Sequence, residues 1–111
     1  MEKFVSPLRY PGGKLKVVDY LKQLLEVNDL CGGTYIEPYA GGASVALSLL
    51  YSKHAGRIKI NDIDRSIYAF WYCVLNDTDA LCRMISDTPV TMENWQAQHE
   101  IQKHKEDDRP V

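Results

Sequence analysis

The sequence predicts an α/β fold: a βαβα core with a parallel sheet, plus flanking helices. Three observations lead there. Thr34-Tyr-Ile-Glu37 is a β-branched and aromatic run that ends at a glycine pair, Gly41-Gly42. A helical pattern follows from about Gly42 to Ser52, with Val45, Ala46, Leu49 and Leu50 on one side. A second alternating run, Arg57 to Ile63, then leads into a helix over Arg65 to Leu75. A strand, a glycine turn and a helix in that order form half of a nucleotide-binding unit. A right-handed crossover to a second parallel strand is its economical continuation.

The elements can be justified in order. Pro7 and Pro11 disfavour helix, and Pro11-Gly12-Gly13 is strong turn chemistry. Lys14 opens a helix to Val27, in which Leu15, Val18, Leu21, Leu24 and Leu25 form an apolar stripe. Asn28-Asp29 and Cys31-Gly32-Gly33 end it. Pro38 restricts Glu37 to extended geometry, as expected where a strand passes into a loop. Ile58 and Ile60 alternate with polar neighbours. Asp64 stands where an N-cap belongs. Tyr68, Trp71 and Tyr72 share one helix face, and core packing is the expectation for them. A short helix over Asp79 to Ser86 is broken at Thr88-Pro89, and a polar helix over Met92 to Lys105 follows a partial cap at Thr91. A two-stranded parallel sheet is a poor isolated fold, since such sheets want both faces covered. The chain therefore reads as the front part of a larger domain, or as a decayed copy of one.

Composition bounds the class. The 111 residues make one small domain, with 45% apolar and 25% charged residues and a net charge of -2. That charge does not advertise a nucleic-acid surface over the whole chain. Cys31, Cys73 and Cys82 are widely spaced and form no C-x-x-C pair, so buried or partly buried free thiols are expected, and no metal site. The histidines, His54, His99 and His104, read as surface residues. Met1 to Pro7 lacks the apolar core of a signal peptide, and no apolar run approaches the roughly 20 residues of a membrane span. A cytoplasmic protein without membrane attachment is the expectation.

The chemistry concentrates at the strand ends. Glu37 just before the glycines would repel a phosphate, and suits a cationic ligand or one rich in hydroxyl and amino donors. That points away from a nucleoside diphosphate and towards a ligand like S-adenosylmethionine. Asp62 lies about 20 residues beyond the glycine loop, where a carboxylate can accept both hydroxyls of a ribose. Each acid also has a structural reading, Glu37 as a capping acid or ion-pair partner and Asp62 as a helix N-cap or turn residue, although Asp64 fits the cap better. A nicotinamide dehydrogenase is disfavoured by the missing third glycine and by Glu37. A P-loop is disfavoured because Gly12-Gly13-Lys14-Leu15 lacks the Ser/Thr and the long loop.

Three blocks carry a resemblance. They are Ser6-Pro-Leu-Arg-Tyr-Pro-Gly-Gly-Lys14, Tyr35-Ile-Glu-Pro-Tyr-Ala-Gly-Gly-Ala-Ser-Val45 and Ile60-Asn-Asp-Ile-Asp64. Together, in this order and spacing, they resemble the N-terminal motifs of adenine-specific (N6) DNA methyltransferases, more narrowly the subgroup of the bacterial GATC-type methylases. The resemblance covers about residues 6–75. It implies a partial Rossmann-like S-adenosylmethionine-dependent methyltransferase fold, with S-adenosylmethionine as cofactor and double-stranded DNA as partner of the full-length enzyme. It implies that Tyr10 lies near the reactive end of the cofactor and Lys14 contacts its methionyl carboxylate. Glu37 would face its amino group, Gly41 would admit its approach, and Asp62 would hold its ribose. Tyr39 covers the adenine or packs in the core. Arg9, Lys16, Lys22 and Lys53 are either phosphate contacts or solvated charges.

This sequence departs from the family in two places. Gly41-Gly42-Ala43 replaces the Gly-x-Gly common there, which bears on the loop's shape. The Asp-Pro-Pro-Tyr block, which orients the adenine amino group in the family, occurs nowhere in the 111 residues. Residues 1–87 are then expected to form the N-terminal part of a cofactor-binding domain, and 88–111 the truncated helical start of a DNA-recognition region. No catalytic residue is assigned and no metal is expected. The chain is expected to be inactive alone, the alternative being a non-catalytic cofactor- or partner-binding remnant.

Overall fold

A computed structural model describes residues 6–8 and 15–104. The contacts divide the chain into two compact units, one up to Ile63 and one from Asp64 onward.

The first unit carries the sheet. A 3-10 turn, Leu15–Val17, runs into α1, Val18–Val27. The expected helix thus begins in a tighter turn, and Lys14 lies outside the described residues. Strand β1, Gly33–Glu37, pairs in parallel with β2, Ala55–Ile60, and α2, Ser44–Tyr51, is the crossover between them. Tyr35 lies beside Ile58 and Glu37 beside Ile60. Side chains alternate along a strand, so these four share a face. Tyr35 and Ile58 pack on that face against a core of Val18, Val45, Leu49 and Ala55, joined by Leu21 and Leu25. Ala46 and Leu49 are fully buried, because α2 turns its small and apolar residues to the strands. Leu24, expected in the stripe, is 44% exposed.

The opposite sheet face is open, with Thr34, Ile36, Arg57 and Lys59 exposed. The register shifts between Gly33 and Thr34. A Cβ at Gly56 would collide with the Gly32 carbonyl, so a residue without a side chain is needed at this close approach.

β2 stops at Ile60, three residues short of the expected end. Asn61 still donates its N–H to the Glu37 carbonyl at 2.9 Å, and Ala40 donates to the Asn61 carbonyl at 2.8 Å. These bonds hold the two loops together beyond the strands.

The second unit is helical: α3 (Arg65–Asn76), α4 (Thr78–Asp87) and α5 (Met92–Lys103). Asp64 caps α3 as expected, accepting the Ser66 N–H at 2.9 Å, and Thr91 caps α5 through the Asn94 N–H at 3.1 Å. Packing differs from expectation. Trp71 is buried, with its ring edge-to-face with Phe70, but Tyr68 and Tyr72 stack on each other with more than half their surface exposed. They are four residues apart, one helical turn, so they can satisfy each other locally without a core.

Two further expectations are corrected. Cys31 and Cys82 are exposed, because Cys31 lies in the loop before β1 and Cys82 on an exposed side of α4, while Cys73 is partly buried. His54 is not a plain surface residue. It is half-buried between a Ser52 hydroxyl at Nδ1 and a Glu26 carboxylate at Nε2, both at 2.7 Å. Among the described residues, no helix is long and apolar enough to cross a membrane, and no group of three or more His, Cys, Asp or Glu could hold a metal ion.

Candidate functional site

In a parallel α/β sheet, ligands meet the protein beyond the carboxyl ends of the strands. Here those ends carry Glu37 on β1 and Asp62 two residues past β2. The parallel register sets Glu37 beside Ile60, which brings both acids to one end of the sheet.

Glu37 is buried, at 9% exposure. Its two carboxylate oxygens are held separately. The Tyr35 hydroxyl donates to Oε2 at 2.8 Å, and the Tyr39 N–H donates to Oε1 at 3.2 Å. The second bond is the local capping role that the sequence allowed for this acid. Burial raises the Tyr35 phenol to a pKa of about 12, with the hydrogen bond to Glu37 and that acid's charge adding to the shift. Tyr35 therefore remains a donor at every pH near neutrality.

Asp62 is partly buried and accepts the Gly41 N–H at Oδ2, at 3.0 Å. Its turn role is thus realised across 21 residues of sequence rather than within its own turn. Gly41 adopts a φ of 52°, in the left-handed region where glycine carries no steric penalty. Gly41, Gly42 and Ala43 are all buried against the strand ends. Ala43 also lies left-handed, at φ 54° and ψ 26°, immediately before α2. An L-residue in that conformation carries a local steric cost that a glycine would not.

The three predicted site residues within the described part of the chain, Glu37, Gly41 and Asp62, are thus gathered at one end of the sheet. Tyr10 and Lys14 lie outside the described residues, as do Arg9 and the turn at Pro11-Gly12-Gly13. Tyr39 is 66% exposed, which removes the core-packing alternative for it. Sequence reasoning missed Tyr35. Its signal was its position two residues before Glu37 on a strand, which puts both side chains on one face. A recess lined by Leu25, Leu30, Gly33, Tyr35 and His54 among others lies toward the amino-terminal ends of the strands.

The fold and these residues define a class: an α/β unit with a glycine loop tied between two acidic strand ends. Residues 10–107 match the D12 class N6 adenine-specific DNA methyltransferases, and the chain belongs to that family. It is 30% identical over 81 residues to the Type II methyltransferase M.MjaIII of Methanocaldococcus jannaschii, an alignment that spans 71% of this chain and 28% of that protein. The chain therefore covers little more than a quarter of that relative's length. No solved structure gave a significant match.

Proposed function

We propose that this chain is the cofactor-binding front part of an enzyme that methylates the N6 amino group of adenine in double-stranded DNA, with S-adenosylmethionine as donor. The observation that supports this most is the joining of the two strand ends, Gly41 N–H to Asp62, beside the buried Glu37. Two carboxylates at that place disfavour a phosphate and favour a ligand that presents hydroxyl and amino donors.

S-adenosylmethionine fits these residues and, when bound, supplies an electrophilic methyl group on sulfur. Asp62 would hold its ribose hydroxyls, Glu37 would face its amino group, and the Gly41 loop would admit its approach. The family resemblance adds Tyr10 and Lys14 to this set, with Lys14 assigned to the methionyl carboxylate. Residues 1–87 belong to the cofactor-binding part and 88–111 begin the DNA-recognition region. The 111 residues hold no Asp-Pro-Pro-Tyr to receive and orient a flipped adenine, so this chain does not methylate DNA unaided. The second reading, a non-catalytic binding remnant, is favoured by that same missing block.

Calorimetric titration with S-adenosylmethionine, S-adenosylhomocysteine, NAD and ATP tests the proposal. Binding confined to the first two, and lost in Asp62→Ala, is expected. Binding of NAD or ATP instead, or of none, would overturn it. Methyl transfer to duplex DNA by the pure chain would overturn the inactivity.

A further inference from the structure

The hydroxyl of Tyr35 does something its ring cannot. The ring packs against the core of Val18, Val45, Leu49 and Ala55, and a phenylalanine would do the same. What the hydroxyl adds is the 2.8 Å bond to Glu37 Oε2. Glu37 is the one buried charged residue among the described residues, and it stands at the sheet end where a ligand would bind.

Resting on the cofactor reading above, we propose that Tyr35 is a positioning residue that holds the Glu37 carboxylate in register for the amino group of the ligand, and so makes binding selective for ligands that carry an amino-acid moiety. A carboxylate accepts roughly four hydrogen bonds. The Tyr35 hydroxyl holds one oxygen and the Tyr39 N–H holds the other, so the carboxylate has a fixed orientation. The carboxylate then costs little reorganisation on binding, and preorganisation of this kind translates into affinity. The phenol's high pKa agrees with a hydroxyl that keeps its proton for this bond.

The selectivity gives a readout that a merely structural role would not move. S-adenosylmethionine and S-adenosylhomocysteine both carry the α-amino group of an amino-acid moiety, and 5′-methylthioadenosine lacks that moiety, with both its α-amino and its carboxyl group. Calorimetry on the full chain should show Tyr35→Phe weakening the first two about threefold to tenfold and 5′-methylthioadenosine not at all. Glu37→Gln should do the same, and the double variant should be no weaker than Glu37→Gln alone, since Tyr35 acts through Glu37. Equal weakening of all three ligands, no weakening, or an additive double variant would overturn the positioning role while leaving the cofactor reading in place. If the wild-type chain binds none of the three, the cofactor reading fails and this inference with it.

Discussion

Gly41 gives its N–H to the carboxylate of Asp62 across 3.0 Å, and this bond joins the loop after β1 to the loop after β2. A backbone donor facing a carboxylate forms a charge-assisted bond, stronger than a neutral one. Asp62 thus shapes the glycine loop whatever else it holds. Asp62→Ala should lower stability by about 1–2 kcal/mol in urea unfolding, with Asp62→Asn losing less because its amide oxygen still accepts. Equal stability of Asp62→Ala and the wild type would show that the loop is held without this bond.

Ala43 makes an opposite prediction. It takes a left-handed conformation that costs an L-residue about 1–2 kcal/mol. Ala43→Gly removes that cost and loses part of the gain to the freer unfolded chain, about 0.4–1 kcal/mol. A small net stabilisation, about 0.5 kcal/mol, is expected in thermal unfolding. A clear loss would mean that the buried Ala43 methyl packs better than its backbone suggests.

Tyr35 predicts an alkaline limit. Its folded pKa, near 12, lies above the ordinary tyrosine value of 10.0. Below pH 10 both states keep the proton and this group adds no pH dependence. Between about pH 10 and 12 the unfolded chain gives up the proton while the folded chain retains it, so stability falls as pH rises. Tyr35→Phe should flatten this part of the curve. Glu37→Gln should bring the phenol down towards its ordinary value without reaching it, because burial is the largest cause and remains. Tyrosinate absorbance, read as the difference from Tyr35→Phe, measures both.

Leu49 is fully buried among Val18, Val45 and Ala55. Leu49→Ala should cost about 2–4 kcal/mol, the range for a leucine cavity. In so small a core that should abolish cooperative unfolding of the sheet-bearing unit, seen as a lost or broadened transition by near-ultraviolet circular dichroism.

His54 bridges Glu26 on α1 and Ser52 after α2. Its partners are exposed enough to be solvated once it is gone, so His54→Ala should cost only about 0.5–1.5 kcal/mol. A double-mutant cycle with Glu26→Gln would separate the ion-pair share from the rest.

Much of this protein was legible in the sequence because the signals are local. The two-residue alternation of β1, the helical spacing of α2 and α3, the caps at Asp64 and Thr91 and the glycine turn each depend on neighbours a few residues away. Glu37, Gly41 and Asp62 were legible as candidates for the same reason, each placed by its distance from a strand end or a turn. The tertiary structure alone decided which groups meet. The Gly41–Asp62 bond spans 21 residues and depends on how β1 and β2 register, and the His54–Glu26 pair spans 28 and depends on where α1 lies beside the loop before β2, and no local pattern specifies either. It also decided that Tyr68 and Tyr72 face solvent while Trp71 is buried, because periodicity marks a helix face but not whether anything covers it.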